Sequence, residues 1–368
     1  MVIQGRPAER EFSDNLGTLT ILDISANQVR VEVAITNYKT IYSQLLTPYD
    51  DGVVKFIDFN LAALVEPYSK EYTSFPLRVT ITDGSVTENI DTWVFHHEGD
   101  IEKTFMEWCG NRFLSNATTK RTTPQREETL YYPYGGPSLR ISSVVARAYY
   151  DDDTTFDQPL LIETDTSIQN IWYSHFKPND FRRSGKEIYR IVVTMTTEVL
   201  DDNQNIEELR YATMEYLIDF EHIAEEGPVF IYQNAWGVPE KFYATGNTEF
   251  TPDIQRDAAV INGVYKNYRQ LMTKQWKVDT GILSPEEAEC LLEMFYSPHI
   301  MQCSIDQYGE YAPWKEVAIV KTDAKHTNDD DTLIRYSFTY RNAEKRVTAQ
   351  SSKEYPYIFE QEHTVMFE

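Results

Sequence analysis

The sequence predicts a mainly β protein, built as several antiparallel β-sandwich domains with one short α-helix in the C-terminal third. Three observations lead there. Period-two alternation runs from Gly17 to about His97, and Val29, Val31, Val33 and Ile35 alternating with Arg30, Glu32 and Ala34 show it best. Aromatic residues make up 13% of the chain, with 25 tyrosines, and large rings with polar tips suit pleated surfaces and interfaces. Only one segment, Ser284 to Tyr296, carries a full set of helix signals. Ser284 can cap the free N–H groups, Pro285 fits the first turn, and Glu287 stands where a capping box closes. Ala288, Leu291, Leu292 and Phe295 form an apolar stripe, and Ser297-Pro298 stops the helix. The stripe is expected to pack on a C-terminal sheet, leaving Glu286, Glu287, Glu289 and Glu293 on a polar face with no partner base or ligand.

Taken in order, Thr18–Ile24 and the Val29 strand read as neighbours joined by a turn at 25–28. Val53–Phe59, Leu77–Thr82 and Asp91–His96 follow, with Asp83-Gly84-Ser85 as a hairpin turn and a short helix over 60–65. These place a β-sandwich domain over residues 1–100. Residues 101–137 change character: a helix over 101–113, a Thr-rich polar stretch, then Tyr131-Tyr-Pro-Tyr-Gly-Gly-Pro137, read together as an exposed connector or arm. Leu139–Tyr150, Glu187–Leu200 and Glu208–Phe220 are strands of a second β-rich domain at 138–226, the last two forming a long hairpin with an acidic tip. A third domain at 227–345 opens on two aromatic strands around Asn234–Pro239, where Gly237 is free to take positive φ. It continues through Val264–Thr273, Gln275–Val278, the helix at 285–296, Ile300–Ile305, Glu316–Lys321 and Thr332–Arg341. Residues 346–368 form a polar tail ordered only by packing on a neighbour.

With 368 residues the chain is long enough for two or three domains of roughly 100–150 residues each. Its net charge of −24 repels a phosphate backbone, which argues against stable nucleic-acid binding. Lys120-Arg121 and Arg182-Arg183 with Lys186 are short basic clusters, read as solvated loops. Cys109, Cys290 and Cys303 give neither a disulfide framework nor metal-ligand spacing, so they read as small buried groups of a protein made in a reducing cytoplasm. No run of about 18 apolar residues predicts a membrane span, and the N-terminus lacks a signal-peptide apolar region.

Motifs that carry chemistry are weak throughout. His96-His97-Glu98 offers ligand types, but adjacent strand residues point to opposite faces. Asp151–Asp153 and Asp329–Asp331 lack the spacing of a calcium loop and read as acidic turn tips. No phosphate loop, nucleophile elbow or zinc-protease helix is present, so no catalytic residue, metal or cofactor is assigned. Asn116-Ala-Thr118 matches a glycosylation sequon, which carries weight only in a secreted chain. Tyr131, Tyr132 and Tyr134 form either a partner- or glycan-stacking loop or an internal packing plug. Trp236 is either a binding residue exposed on a turn or a cap on a core.

From residue 228 onward the chain resembles a group of proteins from Bacteroides-type bacteria and their prophages. The residues that carry this are Pro228–Phe242, Tyr265-Lys-Asn-Tyr268, and Asp329–Asp331 leading into Phe338-Thr-Tyr-Arg341. Trp276-Lys-Val, Leu283-Ser-Pro-Glu-Glu-Ala288 and Phe295-Tyr296 are similar to minor-tail and distal-tail components of long-tailed phages, which place such a helix between strands of a tail-tube-like β-domain. The resemblance covers about a third of the chain, 228–342, and puts the tube-like unit at the C-terminal end rather than the N-terminal one. It implies a virion structural protein made in the host bacterial cytoplasm, a homo-oligomeric ring that docks other tail proteins, and no enzyme activity. An acidic chain also suits a conduit through which DNA slides without sticking. The competing expectation is a carbohydrate- or surface-binding adhesion module.

Overall fold

The computed structural model describes residues 1–50, 52–99, 103–164, 168–219, 227–305, 311–325 and 333–343. The chain is mainly β, with several antiparallel sheets and few helices. It divides into two compact units, and neither is continuous in sequence. The first takes in residues 1–223, 232–240 and 285–298, and the second 224–231, 241–284 and 299–368.

In the first unit, two sheets share the N-terminal core. One runs Val2–Gln4, Thr18–Leu22, Lys55–Asn60, Tyr49–Asp50, and the other Arg10–Phe12, Val86–Phe95, Ser74–Asp83, Val29–Ile35, Lys39–Leu46. Alternation decides which side chains go in: Leu19 and Ile21 meet Val29, Val31, Val33, Val79 and Ile81, each buried. Each such side chain contributes about 1.5–3 kcal/mol relative to exposure. The 84–85 turn closes a two-residue hairpin, Asp83 opposite Val86, with Gly84 at φ +62°. The 25–28 turn does not pair its flanking strands, which belong to different sheets. The Asp83 carboxylate holds that crossing instead, accepting from Ser25 N, Ser25 Oγ and Ala26 N.

The helix expected over 60–65 extends over Leu61–Tyr72, with Asn60 Oδ1 capping Ala63 N–H. Of the helix expected over 101–113, residues 101–102 lie outside the described residues, and the rest holds helix only at Phe105–Trp108, ended by Cys109 in an extended conformation. A capping box between Thr104 and Glu107 starts it.

The segment read as an exposed connector is folded into the first unit, which corrects the boundaries drawn at 101–137. Thr119–Thr122 pairs in parallel with Ile206–Ile218, and Glu128–Pro133 pairs antiparallel with Ile171–Phe176. Leu139–Tyr150 and the long hairpin Ile188–Leu200/Ile206–Ile218 complete the five-stranded sheet with Thr155–Pro159. The Asp201 carboxylate orders the hairpin tip by accepting from Asn203 N and Asn205 N.

The second unit is built on a seven-stranded sheet in the order Pro239–Tyr243, Val229–Gln233, Ile300–Ile305, Tyr311–Asp323, Ser337–Asn342, Gln275–Asp279, Thr248–Phe250. Residues 232–240, the strand ends and turn at one edge, are counted with the first unit. Phe230 packs edge-on against Phe338 and Tyr340, and Trp276 stacks on Tyr340 at 5.4 Å. The 285–296 helix corrects a second boundary: it is counted with the first unit, together with residues 232–240, where Tyr232 Oη donates to Cys290 O at 3.2 Å and Gln233 N to Ser297 Oγ at 3.1 Å. Asp329–Asp331 and the 346–368 tail lie outside the described residues.

Candidate functional site

The acidic side of the 285–296 helix, expected to face solvent, is its gripping surface. Glu286 accepts from Thr118 N, Thr119 N and Thr118 Oγ1, and these bonds hold its carboxyl below the usual range although burial opposes them. Glu287 takes the Arg121 guanidinium at 2.7–3.1 Å and Arg121 N at 3.2 Å. About two turns further on, Glu293 accepts from Ala235 N at 2.8 Å and Asn116 Nδ2 at 2.7 Å. Burial nonetheless holds the Glu293 carboxyl above its ordinary range, with Glu240 adding to the effect. Lys120, read from sequence as a solvated cation, pairs with Glu240 at 2.5 Å with only 19% of its side chain exposed. Burial works against the Lys120 charge, but Glu240 and Glu128 more than offset it and raise its pKa.

Beside this helix is a cleft of about 370 Å³. Lys70, His96, Glu98, Glu289 and Glu293 are the titratable groups that line it, beside the polar Asn116, Gln233, Asn234 and Ser297 and the side chains of Leu292 and Tyr296. His96 is the deepest of these, with 5% of its side chain exposed. The Ser69 hydroxyl donates to Glu66 O, so its oxygen accepts from His96 Nδ1 at 3.0 Å. That assigns the ring proton to Nδ1 and leaves Nε2 as a lone pair, 4.0 Å from Glu98 Oε1. Burial lowers the His96 pKa to about 4, so the ring is neutral at pH 7. Lys70 Nζ bridges Glu98 at 2.9 Å and Glu66 at 3.1 Å. Behind the ring, Gly237 adopts φ +73° as expected, and a Cβ there would stand 3.0 Å from His96 Cδ2 and 2.9 Å from Thr73 Cγ2.

The aromatic candidates take the packing reading. Tyr132 is fully buried, its hydroxyl bonded to Ser174 Oγ at 2.8 Å and its pKa pushed up to about 12 by burial. It has no free face for a sugar ring, which corrects that expectation. Trp236 is 4% exposed, packed at a tilt with ring centroids 4.5 Å from Trp108 and 4.2 Å from His97, and donates Nε1–H to Asn116 Oδ1. It caps a core with Phe12, Phe105 and Val238, so its binding role is corrected too. Tyr131 and Tyr134 are half-buried, packed on Tyr173 and Trp172. His96 and His97 do turn to different partners, His97 Nδ1 reaching Asp14 at 3.1 Å. Among the described residues no group of three or more His, Cys, Asp or Glu could hold a metal ion. All three cysteines are buried and free, and burial pushes Cys109 up to about 12.

A different surface stands out in the second unit. Asp253–Ile261 and Val264–Thr273 form a two-stranded sheet paired with no other strand among the described residues. Asn262 and Gly263, at φ +55° and +75°, make its two-residue turn. The register puts Ile254 opposite Met272 and Val260 opposite Tyr265, so these share one face. All four are exposed, Tyr265 by 81%. The Asn-Gly turn was visible in the sequence, but Asp253–Ile261 reads there as part of no strand.

No family model matches the chain, and no curated protein does. Among solved structures it is similar to a chimeric titin Z1Z2 carrying a KLER exogenous peptide from decorin, at 12% identity over 60% of this chain and 97% of that one, TM-score 0.17. It is also similar to two endo-fucoidan hydrolases of glycoside hydrolase family 107. MfFcnA9 matches at 9% identity over 53% of this chain and 32% of that one, TM-score 0.18. MfFcnA4 matches at 9% over 70% and 40%, TM-score 0.19. At such TM-scores these likenesses say nothing about what the chain does.

Proposed function

We propose that the chain is a structural component of a phage tail or tail tip, distal-tail-like, which assembles into a symmetric ring and docks other tail proteins. The observation that supports this reading is the 253–273 hairpin. A lone two-stranded hairpin is at best marginally stable in water, and this one leaves Ile254, Val260, Tyr265 and Met272 uncovered on one face. Such an arm gains its stability by lying on something. A second copy is the occupant with matching charge: the hairpin carries Arg256, Lys266 and Arg269 against Asp253 and Asp257, in a chain of net charge −24. A heterologous contact of this kind, repeated by rotation, closes a ring. The adhesion-module reading rested on Tyr131, Tyr132, Tyr134 and Trp236; the burial of Tyr132 and Trp236, and the packing of half-buried Tyr131 and Tyr134 on Tyr173 and Trp172, weaken it. The test is the solution mass of the full chain beside Val260→Glu/Tyr265→Glu. The reading expects a defined oligomer that the double variant reduces to a monomer that still unfolds cooperatively.

A further inference from the structure

The cleft beside the 285–296 helix has an electrostatic deficit that nothing in the tail reading uses. Its lining holds three carboxylates, Glu98, Glu289 and Glu293, against one ammonium, Lys70. That ammonium is already shared between Glu66 and Glu98. The geometry of His96 supports a deficit that faces the cavity. The His96 side chain is 5% exposed, and its Nε2 lone pair has no hydrogen-bond donor among the described residues; the Glu98 carboxylate stands 4.0 Å away. Two acceptors facing each other at that separation leave room for a donor between them. Glu293 is held in the lining by Ala235 N–H at 2.8 Å and Asn116 Nδ2 at 2.7 Å, with no cation paired to it among the described residues. On the rim, Tyr296 is 82% exposed and offers a ring face to a cation.

We propose that this cleft binds a primary ammonium group. The ammonium has three donors, which suits a cavity whose free groups are acceptors: one hydrogen goes to His96 Nε2, and the others reach the carboxylates of Glu98 and Glu289. The chemistry is shared by a free diamine and by a lysine side chain of a partner protein, and the probes separate them. Neither this site nor its test depends on ring assembly.

The experiment is calorimetric titration of the full chain with 1,4-diaminobutane, with N-acetyl-lysine methylamide, and with 1,4-butanediol as an uncharged analogue, at matched ionic strength. Saturable binding of either amine, no binding of the diol, and at least a tenfold loss in Glu98→Gln and in Tyr296→Ala support the proposal. Tighter binding of the diamine marks a free polyamine as the source, and tighter binding of the capped lysine marks a partner side chain. Both substitutions are at exposed or half-exposed positions, and thermal unfolding of each variant checks that the fold is kept. No saturable binding of either amine overturns the proposal, as does binding that is equal for the diol or unchanged in both variants.

Discussion

His96 carries the sharpest consequence at the scale of single residues. Its pKa is about 4 in the folded chain against about 6.5 unfolded, so the unfolded state takes up the proton first as pH falls. The stability that neutral His96 contributes is therefore complete above pH 6.5 and lost between 6.5 and 4. At ~1.4 kcal/mol per unit, the loss amounts to about 3 kcal/mol. The groups that act on it are Glu98 and Asp14, which favour its charge, and His97 and Lys70, which oppose it. Denaturant unfolding of the wild type and His96→Gln across pH 4–7 should show the gap between them widening by about that amount as pH rises. A constant gap would refute the assignment. Glu293 works in the other direction. Its folded pKa is raised, so its contribution is present below the ordinary carboxylate range and fades as pH rises through the raised value. Gly237 should tolerate no side chain: Gly237→Ala meets Thr73 and His96 at a positive φ and is expected to cost at least about 1–2 kcal/mol, read as a lowered Tm.

At the scale of elements, the 285–296 helix shows what a sequence can and cannot say. Its limits were legible to the residue, because Pro285, the apolar spacing and Ser297-Pro298 are local signals. Its neighbours were not, since four glutamates on one face read as solvation until Thr118, Arg121, Asn116 and Ala235 are brought to them through long-range folding. Strands Leu139–Tyr150 and Ile188–Leu200 were equally plain from alternation. Lys39–Leu46 was missed because it is an edge strand with no buried residue and so no alternation to read. The cleft was illegible for the same reason as the helix contacts: His96 and Glu293 lie 197 positions apart. The Arg121–Glu287 pair is partly buried, with 33% and 19% of the side chains exposed. Removing either partner should therefore cost about 1–3 kcal/mol, with a double-mutant cycle showing positive coupling. Additive single effects would mean that the pair contributes nothing beyond its separate contacts.

Over the whole molecule, an interlaced chain carries an arm that pairs with no other strand among the described residues. Residues 232–240 and 285–298 return to the first unit from a sequence region otherwise given to the second, so neither unit is a contiguous stretch that could be cut out and expected to fold. Deleting 285–298 should abolish folding of the first unit, because Glu286, Glu287 and Glu293 hold the 116–121 strand and the 234–236 turn. The arm is different: its two strands pair with no other strand among the described residues, and Val260 and Tyr265 are exposed, so substitutions at these two should leave monomer stability intact. The central claim is that the hairpin joins copies of this chain, and the most direct test is mass photometry with negative-stain images of the full chain over a range of concentrations. The account predicts closed rings of uniform size that Val260→Glu/Tyr265→Glu dissolves into folded monomers. A wild-type protein that stays monomeric at every concentration, with no ring in any image, would contradict it.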